Sequence, residues 1–153
     1  MKIIILTTSR PLAVIPMGNR LYKLADDCDI RVVTDEGCFR FYAKRGTVTN
    51  YRSGGPLVDH FVDQIGDEDI APWWVIHDLC YTPCAALGME HPVSRKQADE
   101  LLRAGLLYAG MEKWKAQVVY TAVRWFGDPA YEEDDALTSL NSKLFSFEWT
   151  AAA

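Results

Sequence analysis

Phe39, Phe41 and Ala43 alternate with Arg40 and Tyr42, a period of two that sets one side of a strand against a core and the other in water. The β-branched run Ile30-Arg31-Val32-Val33-Thr34 precedes it, and Asp35-Glu36-Gly37 between them supplies turn chemistry, so the pair reads as a hairpin. Thr47-Val48-Thr49-Asn50-Tyr51 is read as a third strand, and Arg52-Ser53-Gly54-Gly55-Pro56 as a loop.

The period then changes. Leu57, Phe61, Val62 and Ile65 recur at helical spacing, and Gly66 with Asp67-Glu68-Asp69 closes that helix. Pro72 suits a first helical turn, which predicts a helix over residues 72–82, followed by a loop holding Pro83, Gly88 and Pro92. Ser94-Arg95-Lys96-Gln97 is a capping-box pattern opening a helix whose stripe of Ala98, Leu101, Leu102, Gly105 and Ala109 runs to Gly110. Another helix reads through Trp114, Val118, Ala122 and Trp125 and stops at Gly127-Asp128-Pro129. Last, Phe145, Phe147 and Trp149 alternate with Ser146 and Glu148, a strand with one aromatic face.

These elements predict an α+β fold: a short antiparallel sheet in the N-terminal half, about four helices in the C-terminal half, and a C-terminal strand or arm. Residues 1–135 form one domain in this reading. Residues 136–153 form the strand or extended arm, which pairs within the chain or adds to the sheet edge of a neighbouring subunit.

Composition narrows the function. At 153 residues, 49% hydrophobic and 24% charged, the chain suits a single domain with its own core. A net charge of −5 and a pI near 5.1 argue against nucleic acid or anionic lipid as a bulk electrostatic partner. The apolar run Ile3-Ile4-Ile5-Leu6 is too short for a signal-peptide core or a transmembrane segment, so the expectation is a soluble protein made in a cytoplasm. Cys28, Cys38, Cys80 and Cys84 are too sparse for a disulfide scaffold and lack zinc-finger spacing; they read as reduced thiols.

Against this background one stretch stands out, Trp73-Trp74-Val75-Ile76-His77-Asp78-Leu79-Cys80-Tyr81. On a helix, His77 and Tyr81 share a face and Asp78 points about 100° round from His77. An imidazole can take a proton from water near neutral pH, and a carboxylate suits a hard cation such as calcium. A base needs an orienter, and Asp99 on the capped helix is the candidate. Two plainer readings stand beside these: an ion-pair ladder of Asp99 with Arg95 and Arg103, and a core histidine bonded to backbone. Asp59, His60 and Asp63 form a metal-like triplet that reads better as a solvated face, and His91 reads as a loop residue. Gly54-Gly55 matches no phosphate-binding fingerprint, and there is no Gly-x-Ser-x-Gly elbow.

His77-Asp78-x-x-Tyr81, then Ser94-Arg95-x-x-Ala98-Asp99, then Ala122-Val123-Arg124-x-Phe126-Gly127 resembles a family of small, mostly phage-encoded domains of unknown function, family 1353. Val48-Thr49-Asn50-Tyr51-Arg52-Ser53 is similar to a family segment that carries Asp where this chain has Asn50. The His-Asp-x-Cys-Tyr text also resembles secretory phospholipases. That likeness implies that His77 activates water, that Asp99 and Tyr81 orient it, and that Asp78 holds a calcium ion which polarises an ester carbonyl; Asn50, standing where the phage family carries Asp, is the second candidate metal position. Here Val75-Ile76 stand where phospholipases carry a cysteine, and Gly54-Gly55 lie a whole predicted helix away from His77. The resulting expectation is a phage-encoded, virion-associated protein of the tail or tail tip with a hydrolase-like site, binding other virion proteins or itself through its sheet edge and residues 140–153. The alternative is a calcium-assisted hydrolase of lipid esters or cell-envelope amides using His77, Asp78 and Asp99. A third possibility is a small inhibitor of a host system, which an acidic surface suits.

Overall fold

The computed structural model describes residues 1–8, 12–19, 21–49, 67–81, 93–127 and 144–153. Its strands are β1 (Ile3–Thr8), β2 (Val14–Gly18), β3 (Leu21–Leu24), β4 (Cys28–Thr34), β5 (Gly37–Ala43), β6 (Val48–Thr49) and β7 (Phe145–Ala151). Its helices among the described residues are α1 (Asp67–Tyr81), α2 (Arg95–Tyr108) and α3 (Lys113–Phe126). The fold is α+β, as the periodicities predict. The expected helix around Leu57–Ile65, with Asp59, His60 and Asp63, lies outside the described residues, as do Asn50, Gly54, Gly55, Cys84 and His91.

The predicted hairpin is β4–β5, paired from Cys28↔Ala43 to Val33↔Cys38. Along both strands the residues that alternate inward are buried, and the turn is tied by Thr34, whose Oγ accepts from the backbone N–H groups of Glu36 and Gly37 at 3.1 Å. β1 adds to β4 and β7 to β5, giving an antiparallel sheet of order β1-β4-β5-β7. β7 packs aromatic on aromatic: the Phe147 ring lies edge-on to Phe39 at 5.4 Å, and Trp149 lies 4.0 Å from the same ring. Gly37 is required there, because a Cβ at that position would sit 2.3 Å from the Thr150 carbonyl.

The remaining strands form a second sheet, β2-β3-β6. Val48–Thr49 is therefore a strand, as expected, but it pairs with β3 rather than extending the hairpin. Leu24 N–H donates to Thr47 O at 2.9 Å and so steers the chain across.

α1 starts earlier than Pro72 suggests. It begins at Asp67 with Pro72 inside it, so Asp67-Glu68-Asp69 form its first turn. Acidic residues suit a helix start as well as a loop. Every residue from Ile70 to His77 is buried, so packing on all sides outweighs the hydrogen bond that proline forfeits. α2 has the predicted capping box, with Ser94 and Gln97 each bonding the other's backbone N–H. It packs closely on α1 because Gly105 lies under the Trp73 ring; a Cβ there would fall 2.1 Å from the indole. α3 follows a short connection and ends at Gly127. One hydrophobic core joins the inner face of the four-stranded sheet, α1 and the facing sides of α2 and α3. No helix of the described residues is long and apolar enough to cross a membrane.

Candidate active site

The C-terminal half of α1, the first turns of α2 and the end of α3 converge on one carboxylate, that of Asp99, which is completely buried. His77 Nε2 lies 2.8 Å from its Oδ1. The Tyr81 hydroxyl, one turn further along α1, donates to the same oxygen. Arg124, in the last turn of α3, donates from Nη1 to Oδ2 at 2.9 Å. Arg95 stands 4.0 Å from Oδ2, and its guanidinium donates to the carbonyls of Val123 and Arg124 at 3.1 to 3.2 Å. Those carbonyls end α3, where a helix has unsatisfied acceptors and a partial negative charge.

A carboxylate without water is costly unless donors replace its hydration. Burial pushes the Asp99 pKa up, but the hydrogen bonds from His77, Tyr81 and Arg124 outweigh it and hold the group below the usual carboxylate range. Asp99 is therefore ionised at neutral pH and can only accept. The proton on the His77–Asp99 bond belongs to Nε2, which in a neutral imidazole leaves the lone pair on Nδ1. Burial, followed by the bond to Asp99, pushes the Tyr81 phenol far up, so it stays a donor.

The imidazole is enclosed as well as oriented. The Tyr81 ring lies 4.2 Å from it and the Trp74 ring meets it edge-on at 6.3 Å. His77 is 1% exposed, yet Nδ1 has no hydrogen-bond partner among the described residues. Gly127 matters here too: a Cβ at its position would lie 2.7 Å from the Tyr81 hydroxyl.

The structure brings His77, Tyr81 and Asp99 together, as the sequence reading supposed. It corrects the two plainer readings in part: His77 bonds a carboxylate rather than backbone, and the Asp99 of the expected ladder keeps its i,i+4 pair with Arg95 but is buried and does not pair with Arg103. Arg103 sits over the Tyr120 ring, 5.6 Å from its centroid, and Arg95 is committed to α3. Arg124, the close ion partner, was assigned no role from sequence, although it stands in the motif Ala122-Val123-Arg124-x-Phe126-Gly127. Asp78 points elsewhere: half-buried, it accepts from Thr49 Oγ1 at 2.6 Å. Among the described residues no group of three or more His, Cys, Asp or Glu could hold a metal ion. Asn50, the other expected metal position, lies outside the described residues.

An α+β domain with a buried His–Asp–Tyr–Arg cluster where three helices meet is the class of molecule that fold and site define. The model of one family, described as protein of unknown function (DUF1353), matches residues 23–123, a span that holds His77, Asp78, Tyr81 and Asp99. The chain belongs to that family. No curated protein and no solved structure matches it.

Proposed function

We propose that this domain is a hydrolase in which His77 is the general base. Nε2–H is anchored on ionised Asp99, Tyr81 and Arg124 keep that carboxylate in place, and Nδ1 takes a proton from the attacking water. The observation that carries the reading is His77 itself, buried against the Tyr81 and Trp74 rings, fixed at one nitrogen and unpartnered at the other among the described residues. An orienting carboxylate sets the tautomer and stabilises the imidazolium that forms. The substrates to try are esters and amides, including lipid esters and cell-envelope amides. The described donors do not complete a calcium site, so no step is assigned to the ion.

The test is hydrolysis of a panel of acyl esters and amides by the full chain, with and without calcium, beside His77→Gln and Asp99→Asn. The expected outcome is turnover in the wild type, its loss in His77→Gln, and a fall of about 10⁴-fold in Asp99→Asn, the scale seen when a base loses its tautomer-setting partner. Equal rates in wild type and His77→Gln would defeat the reading.

A second reading concerns where the domain works. We propose that it is phage-encoded and carried in the virion, favoured by an apolar surface at one sheet edge: Ile4 and Ile5 on β1 are 55% and 53% exposed. Unpaired strand edges are surfaces to which another chain adds. Purified particles should then contain the protein at fixed stoichiometry, and Ile5→Lys should lower its incorporation. A protein found free and never in particles contradicts this.

A further inference from the structure

Three buried side-chain nitrogens lack a hydrogen-bond partner among the described residues: the indole nitrogens of Trp73 and Trp74, and Nδ1 of His77. All lie on adjacent turns of α1. Buried polar groups are nearly always paired, and one left unpaired is costly, so each of these needs an account.

The two tryptophans differ in what they face. Trp73 is turned to α2, its ring over Gly105 and edge-on to Tyr108 at 6.2 Å. Trp74 stands against the imidazole instead: its ring and the His77 ring lie 6.3 Å apart at 82°. It precedes His77 by three residues, one turn along the same side of the helix. Both side chains are 1% exposed.

Their needs are complementary. The indole N–H is a donor lacking an acceptor. Nδ1, with Nε2–H committed to Asp99, is an acceptor lacking a donor. A carboxylate or phosphodiester would meet the indole and offer nothing to Nδ1, whereas a cation would meet Nδ1 and be repelled by the N–H. An uncharged acyl group approached by water meets both: the carbonyl oxygen accepts from the indole and the water donates to the imidazole.

We propose that Trp74 Nε1–H is the donor that binds the carbonyl oxygen of an uncharged ester or amide and holds the oxyanion formed on it. This rests on the reading of His77 as the base. His77 Nδ1 takes one proton from water as the water oxygen bonds to the carbonyl carbon. The π pair of the C=O bond moves onto its oxygen, where the indole N–H holds it. When the C=O bond re-forms, the bond to the leaving group breaks, that group takes the proton from Nδ1, and the products are a carboxylic acid and an alcohol or amine. A donor aimed at the developing oxyanion acts mainly in the transition state.

The experiment uses the full-length chain and N-butylacetamide as probe. Its five tryptophans give five indole signals in a ¹H–¹⁵N spectrum, and Trp74→Phe identifies the one from Trp74. Adding the probe should move that signal progressively; no movement at the highest soluble concentration overturns the proposal. Trp74→Phe should still melt cooperatively, its melting temperature lowered only by the cavity the smaller ring leaves in the core. In hydrolysis of the substrate found above, it should lower kcat by about 100-fold or more with little change in KM. Unchanged kcat in Trp74→Phe beside an inactive His77→Gln defeats the Trp74 assignment alone. An active His77→Gln defeats both readings.

Discussion

Asp99 is the residue on which the others depend, and its environment makes its contribution measurable. It faces His77 and Tyr81 on α1, Arg95 on its own helix and Arg124 on α3. Asp99→Asn keeps the shape but leaves Arg124 without its counter-charge. Breaking a buried pair from one side costs about 3 to 5 kcal/mol, and because the Arg124 side chain is 30% exposed and reaches water we expect the lower end, about 3 kcal/mol, in urea unfolding. The same group sets an acid limb. Its folded pKa lies below its unfolded one, so its stabilisation is complete above about pH 4 and is lost as pH falls further, through the depressed folded value. Wild-type stability should therefore drop steeply below about pH 4, while Asp99→Asn, weaker throughout, should show a shallower drop. Parallel acid limbs in the two proteins would contradict the assignment.

Among the elements, the close approach of α1 and α2 decides whether His77 reaches Asp99, and Gly105 permits it. Replacing a helical glycine by alanine ordinarily stabilises by about 1 kcal/mol. Here the new Cβ would enter the Trp73 ring, whose atoms are not the free end of a flexible side chain, so the helices must part. Overpacking of that kind costs about 1 to 3 kcal/mol, and Gly105→Ala should be destabilising and less active, against the propensity trend. Denaturant unfolding checks the sign. The alanine variant at Ser94 offers a contrast: it should lose about 1 kcal/mol from the cap with the site intact.

The same contrast explains what the sequence disclosed. His77, Tyr81 and Asp99 were legible because helical spacing and a capping box define faces locally, and α2 opens where Ser94 says it should. Arg124 was not, because its meeting with Asp99 depends on how α3 lies across α2, and no local pattern encodes that angle. Trp74 is apolar bulk by residue type; its ring against His77 and an indole nitrogen unpartnered among the described residues set it apart. β4, β5 and β7 were legible because one side of each strand is buried. β2 was not: Ile15 to Gly18 are exposed, so no alternation marks them, and the register shift within β1 interrupts its pattern.

For the whole molecule, the question is what the last strand does. Phe145–Ala151 pairs with β5 along its full length, from Ala43↔Phe145 to Gly37↔Ala151, and Phe147 enters the core at 8% exposure. Phe39 and Phe41, each 1% exposed, lie beside it, opposite Trp149 and Phe147. Removing residues 144–153 would uncover both rings and open the edge of β5. Loss of one buried phenylalanine side chain costs about 3 to 5 kcal/mol, and domain stabilities are about 5 to 15 kcal/mol, so the truncated chain should lose most of its stability. A freed apolar edge also pairs with other chains, so the truncated protein should elute as aggregates in size-exclusion chromatography with light scattering. Ile5→Lys on β1, at the opposite edge, is the control: its side chain is already 53% exposed, and stability should change by no more than about 0.5 kcal/mol. If the truncated chain instead melts cooperatively as a monomer near the wild-type temperature, β7 is dispensable to the core. A virion defect on deleting it would then report a lost interaction surface; with the expected collapse, the same defect would report only a lost fold. The melting experiment must therefore precede any particle experiment that uses a β7 deletion.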